Sequence, residues 1–181
     1  PDYYGNLVVI EHEFRSPENL PVFTLYGHLD RVLVGAGHVV EEGEQIGFVG
    51  AAGVAIGPHL HFEVRVGDPT DFGATRNPDL WIRPYVGFGT LAARVVNNAG
   101  ELQPGEGLTI RSLADGHARY AFTYASDAVN SSAGWGENVT MGDLPMGTYE
   151  VYISDEGRIW FRGQVEIRPN QTTWLEIVMD R

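Results

Sequence analysis

The sequence predicts an all-β protein of two units, and three observations carry that prediction. Apolar residues alternate in short runs at Leu7 to Ile10, Phe23 to Tyr26, Val64 to Val66 and Glu150 to Ile153, the period of half-buried strands. No stretch keeps helical spacing beyond two turns; Thr90 to Asn98 is too rich in Val and too close to Gly100 to persist as a helix. The 23 glycines and 10 prolines fall between the apolar runs, where turns are needed.

A cluster of turn residues divides the chain. Gly67-Asp68-Pro69-Thr70-Asp71, Asn77-Pro78 and Arg83-Pro84 lead into Gly87-Phe88-Gly89, where the strand pattern restarts, so the units are expected at 1–87 and 88–181. Histidines 12, 28, 38, 59 and 61 lie in the first unit and only His117 in the second. Any chemistry is expected in the first.

Composition narrows the function classes. The chain of 181 residues carries 12 cations, all Arg, against 24 acids, a net charge of −12. Such a field repels phosphate backbones and anionic lipid, which argues against nucleic acid as a partner. With no Cys, a metal would have to be held by His and carboxylates. The most apolar stretch, Phe48 to Gly57, is broken by Gly50 and Gly53 and falls far short of the roughly 20 residues that span a bilayer, so no membrane insertion is expected. The chain opens at Pro1 without an initiator Met or an apolar leader, and its first residues already read as a strand approach; an absent upstream portion is the expectation.

In the first unit, short apolar pairs (Val39-Val40, Ile46, Phe48-Val49) alternate with Gly37, Gly43, Gly47, Gly50, Gly53 and Gly57, as in very short strands closing into a small glycine-punctuated barrel. Biotinyl and lipoyl carriers share this rhythm but present a modifiable Lys, and Lys is absent here. The strand His59-Leu60-His61-Phe62-Glu63-Val64 is more informative. Period two puts His59, His61 and Glu63 on one face and Leu60, Phe62 and Val64 toward the core. From spacing alone this is either a polar outward face or a pair of imidazoles placed for metal ligation and proton transfer. Gly57-Pro58, which fixes the strand entry, and Tyr26-Gly27-His28-Leu29 upstream favour the second reading.

Taken in order, Tyr4-Gly5-Asn6, Val8 to His12, Tyr26 to Leu29, Val39 to Gly43, Gln45-Ile46-Gly47, Gly57 to Glu63 and Asn77-Pro78 resemble the lysostaphin-type zinc endopeptidases of peptidoglycan over roughly 80 residues. The resemblance implies zinc as cofactor, with His61 a metal ligand and His28 and His59 catalytic beside it. In such enzymes a zinc-polarised water attacks a peptide carbonyl while the two histidines orient or deprotonate it and stabilise the oxyanion. Glu63 is read as at most a partner of a ligand and not as a ligand itself. The implied substrates are peptide cross-bridges or stem peptides of the bacterial cell wall, and the implied place is secreted or in the cell envelope.

The family draws two further ligands from a His-x-x-x-Asp segment ahead of the Tyr-Gly-Asn motif, and no His-x-x-x-Asp occurs in these residues. His38 to Glu42 is His-x-x-x-Glu in turn-rich sequence and is not read as a ligand pair. The expectation is therefore a zinc metalloendopeptidase barrel incomplete at its N-terminus and inactive in this form; the rival is a non-catalytic wall-binding or hydrolase-activating module. Sheet edges bared by missing strands are expected to pair with another copy or with the missing piece. His12 is read as a packing or surface residue, Asp30 as a solvated cap, and Glu41, Glu42 and Glu44 as a solvated loop.

The second unit has short strands separated by Asn97 to Gly100, Pro104-Gly105, Pro145-Met146-Gly147 and Pro169-Asn170, the spacing of a β-sandwich. Leu144-Pro145-Met146-Gly147-Thr148-Tyr149 and the closing Trp174 to Val178 resemble transthyretin-like regulatory domains, which implies a spacer or docking role. Tyr120, Phe122, Tyr124, Trp135 and Trp160 are candidates to stack on sugar, with core packing the expected fate of most. No catalytic residue is assigned after residue 88.

Overall fold

The computed structural model describes residues 3–125 and 129–180. Pro1, on which the expectation of an absent upstream portion rests, lies outside them. The chain forms two units, Pro1–Arg76 and Asn77–Arg181. The segment 77–87, grouped by its turn residues with the first unit, is stitched to the second. Asp79 Oδ2 accepts from the Gly142 amide (2.8 Å) and the Thr140 hydroxyl (3.3 Å), and the Met146 amide donates to the Gly87 carbonyl (2.9 Å). Asn77 caps the short 3-10 turn Pro78–Leu80 with its side chain, so what reads as a linker is an ordered strap.

The first unit is one antiparallel sheet of β1 (Asn6–Arg15), β2 (Pro21–Val32), β3 (Gly47–Val49), β4 (His61–Val66) and β5 (Thr75–Arg76). The order is β1-β2-β4-β5, with β3 also on β2. The all-β expectation holds, but the sheet is open and not a closed barrel. β2 is its axis: 12 residues long, buried along most of its length, and paired to three other strands. Val22, Leu25, Leu29, Val64 and Val66 make the core beneath the site. Of the short strands expected between Val39 and Val49, only β3 forms. Gly37 and Gly43 adopt left-handed φ of 81° and 83°, which ends pairing, and Val39 is left 79% exposed.

The second unit is a sandwich. Strands β6 (Phe88–Asn97), β9 (Val139–Pro145) and β12 (Thr172–Met179) form one sheet; β7 (Gly107–Ser112), β8 (Ala118–Phe122), β10 (Gly147–Asp155) and β11 (Arg158–Ile167) form the other. Their inner faces share a core that includes Leu91, Val95, Leu144 and Ile177 from the first sheet and Ile110, Tyr149, Val151 and Ile167 from the second. β6 and β12 run parallel, from Thr90 opposite Thr172 to Asn97 opposite Met179. Of the aromatic candidates, Tyr120 and Phe122 are exposed on the edge strand β8, and Trp135 packs edge-on against Trp174 at 5.5 Å. No helix among the described residues is long and apolar enough to cross a membrane.

Candidate active site

Three expected site residues, His28, His59 and His61, come together on the first unit. Each is placed by a local backbone feature. His61 opens β4 directly across from Gly27 of β2. A Cβ at Gly27 would lie 3.3 Å from the Tyr4 ring and 3.4 Å from His61 Cβ, so only glycine leaves both rings undisturbed. His28 is the extra residue of a β-bulge. Between the pairs Asn6–Leu29 and Val8–Tyr26, β2 has Gly27 and His28 where β1 has Leu7 alone. It sits at φ 58°, in a left-handed conformation that typically costs about 1–3 kcal/mol in a residue with a side chain. The bulge re-aims the ring, which is buried at 2% exposure, and the His28 amide donates to the Tyr4 carbonyl at 2.8 Å. His59 precedes β4 and is bridged to Gly50. A Cβ on Gly50 would lie 2.4 Å from the Asp30 nitrogen, so this approach requires glycine.

The ring centroids of His28 and His59 are 4.8 Å apart and those of His28 and His61 5.2 Å, and one ligating atom from each residue lies within 4.8 Å of the other two. Hydrogen bonds fix which nitrogen each ring presents. His28 Nδ1 meets the Ala52 carbonyl and His59 Nδ1 the Gly57 carbonyl, both at 2.8 Å. A carbonyl only accepts, so both Nδ1 atoms carry hydrogen and both Nε2 atoms carry a lone pair. His61 is reversed. Its Nε2 donates to Glu63 Oε1 at 2.7 Å, which leaves Nδ1 as its lone-pair nitrogen.

Glu63 touches a site histidine, as expected, and it is held on every side. Tyr4 donates its hydroxyl to Oε1 at 2.7 Å, Arg65 Nε donates to Oε2 at 2.8 Å, and Arg65 Nη2 makes an ion pair with Oε2 at 2.7 Å. Arg65 also donates to the Tyr4 hydroxyl and the Pro69 carbonyl, both at 2.6 Å. Burial pushes the Glu63 carboxyl up, but the hydrogen bonds from His61, Tyr4 and Arg65 and the Arg65 charge outweigh it and hold it below its ordinary value. Burial, then the neighbouring carboxylate, pushes the Tyr4 phenol up to about 12. Tyr4 and Arg65 are the site residues that the sequence reading missed. Arg65 shares the period-two face of His61 and Glu63 and was legible by extending it; Tyr4 is brought in from 59 residues away and was not.

One side-chain expectation on this strand is corrected. Leu60 does not enter the core and is 44% exposed, because β4 begins only at His61 and the residue before it stands clear of the sheet. The Tyr-Gly-Asn motif acquires a structural reason. Gly5, at φ 61°, approaches Ala52 so closely that a Cβ would lie 2.3 Å from its carbonyl carbon, and the Asn6 amide donates to the Leu29 and Asp30 carbonyls at 2.9 and 3.1 Å. The other histidines stay apart: His12 bonds the Thr24 hydroxyl, and His38 pairs with Glu44 on the surface. No other cluster of three potential ligands occurs among the described residues.

Residues 1–72 match the model of Peptidase family M23, a span that contains all three histidines and both partners of Glu63. The match falls within the first unit. Within it the chain is 48% identical over 64 residues to the Peptidoglycan DD-endopeptidase ShyB of Vibrio cholerae serotype O1, covering 35% of this chain and 14% of that protein. It is 45% identical over 69 residues to the DD-carboxypeptidase/endopeptidase Mpg of Neisseria meningitidis serogroup B, covering 38% and 14%. The chain thus spans about one seventh of the length of these relatives. Among solved structures, the antimicrobial peptidase lysostaphin from Staphylococcus simulans aligns at 17% identity and a TM-score of 0.37, over 92% of this chain and 76% of that one.

Proposed function

We propose that the first unit is the histidine-bearing part of a zinc metalloendopeptidase that cuts peptide bonds in bacterial peptidoglycan, in the cell envelope or outside the cell. The observation that carries the proposal is the convergence of three imidazoles, one ligating nitrogen of each within 4.8 Å of the others, each ring held by a separate acceptor. The donor set suits zinc, which binds imidazole nitrogen at about 2.0–2.1 Å. Tetrahedral ligands at that length stand roughly 3.3 Å apart. The spread of up to 4.8 Å therefore fits one ligating ring with two others a hydrogen bond away better than three rings on one ion.

In this reading His61 Nδ1 is the ligand, and His28 and His59 face the reacting atoms with Nε2. When bound, zinc supplies Lewis acidity and lowers the pKa of a water to about 7. His59, the exposed ring, accepts a proton through Nε2 and passes it to the leaving amine. His28, rigidly seated by Ala52 and the bulge, holds the reacting oxygen in place. The second unit, with its likeness to transthyretin-like domains, would act as a spacer or docking module.

The test measures zinc per chain by elemental analysis after dialysis against a weak chelator, then incubates zinc-loaded protein with purified sacculi and with a synthetic cross-linked stem peptide. New amines released by wild type and not by His59→Ala support the proposal. Binding to sacculi without release of amines would replace it with the wall-binding reading.

A further inference from the structure

We infer that Glu63, clamped by Tyr4 and Arg65, is a positioning residue that fixes His61 as its Nε2–H tautomer and so aims the Nδ1 lone pair into the histidine cluster; the metal part of this inference rests on the function proposed above. Both carboxylate oxygens are engaged: Oε1 accepts from His61 Nε2 and the Tyr4 hydroxyl, and Oε2 accepts from Arg65 Nε with Arg65 Nη2 in ion-pair contact. Glu63 therefore has both oxygens committed to protein partners. What it can do is hold a ring.

The alternative His61 tautomer would turn an Nε2 lone pair toward a carboxylate oxygen at 2.7 Å, where it meets repulsion instead of a hydrogen bond. Tyr4 adds a second restraint, because its ring stands edge-on to His61 with centroids 5.3 Å apart while its hydroxyl pins the carboxylate. Stability alone is a weak reason for such a network. A buried Glu–Arg pair at 6% and 4% exposure is, as a rule, no better for stability than apolar residues of the same volume. A carboxylate on the far nitrogen of a ligating imidazole also makes the near nitrogen a stronger donor, and loss of such a partner typically weakens metal binding about 10- to 100-fold.

The experiment is nitrogen NMR of the whole chain labelled at histidine, metal-free, at about pH 8, where free imidazole is neutral. Wild type is expected to show His61 as the Nε2–H form. In Glu63→Gln, the Tyr4 and Arg65 donors claim the amide oxygen, the amide NH2 is left facing His61, and the ring is expected to shift toward the Nδ1–H form. Tyr4→Phe is expected to give a smaller shift in the same direction, and the amide spectrum and the unchanged His38 and His117 signals confirm a folded chain. If Glu63→Gln unfolds, Tyr4→Phe decides. A His61 ring already in the Nδ1–H form in wild type, or one that no folded variant moves, overturns the inference. Zinc competition against a chelator separates the two readings. The tautomer shift with no zinc affinity in wild type leaves this inference standing and defeats the metalloenzyme proposal; zinc affinity that Glu63→Gln does not weaken defeats the metal part of the inference.

Discussion

Gly27 and His61 face each other across the β2–β4 ladder, and the side chain missing from the first is what gives the second its room. The Tyr4 ring occupies the space that a Cβ at Gly27 would crowd. A glycine inside a strand ordinarily weakens it, and here it permits a three-ring contact.

Gly27→Val is therefore expected to destabilise the first unit by about 1–3 kcal/mol, the usual range for overpacking, and to disturb His61 more than His38. Urea unfolding and the histidine NMR signals check both parts. A variant with native stability and an unmoved His61 signal would contradict the packing argument.

The Glu63 carboxyl is held below its ordinary value in the folded state, so its contribution is present above the unfolded carboxyl pKa and lost as pH falls through the lower folded value. The urea midpoint should fall from neutral pH toward acid, and Glu63→Gln should flatten that slope. At the other end, Tyr4 is raised from 10.0 to about 12, so the neutral phenol is favoured in the fold and stability is lost as pH rises from about 10 toward 12. Tyr4→Phe should remove the phenol that titrates near 12 from an ultraviolet titration.

The three histidines are expected to separate by role. His61→Ala should weaken zinc binding by at least about 100-fold, whereas His59→Ala should lower peptide cleavage by about 10²- to 10⁴-fold with a smaller effect on zinc affinity. His38→Ala, whose ring bonds Glu44 on the surface, should change neither. Zinc competition and amine release on the same preparations decide; equal zinc loss in all three would mean no specific site.

Asp79→Ala should loosen the 77–87 strap from the sandwich, because it leaves the Gly142 amide and the Thr140 hydroxyl without their acceptor. The expected destabilisation is about 1–3 kcal/mol. Faster proteolysis within 77–87, with the strands of the second unit still protected in hydrogen exchange, is the signature to look for.

Much of the site was legible because its histidines obey local rules. His61, Glu63 and Arg65 follow strand period two, and His28 lies in a short motif of aromatic, glycine and histidine. The left-handed bulge at His28 was not legible, because it arises from the mismatch of β2 against β1 and not from β2 alone. The Tyr4 grip on Glu63 joins residues 59 positions apart, a distance over which periodicity carries no information. The all-β class followed from alternation. The extra strands expected between Val39 and Ile46 did not form, because a glycine rhythm that suits short strands suits successive turns equally well, and left-handed Gly37 and Gly43 show that turns won there.

The parallel pairing of β6 with β12 has a mechanical consequence. These strands come from opposite ends of the second unit, and the pair Arg94–Glu176 that links them spans 82 positions in the chain. In a parallel pair, the leading end of one strand and the trailing end of the other lie at opposite ends of the ladder. Tension drawn through this unit from Phe88 to Met179 therefore loads the whole row of β6–β12 hydrogen bonds in shear at once, where an antiparallel hairpin pulled from its open end would unzip one rung at a time.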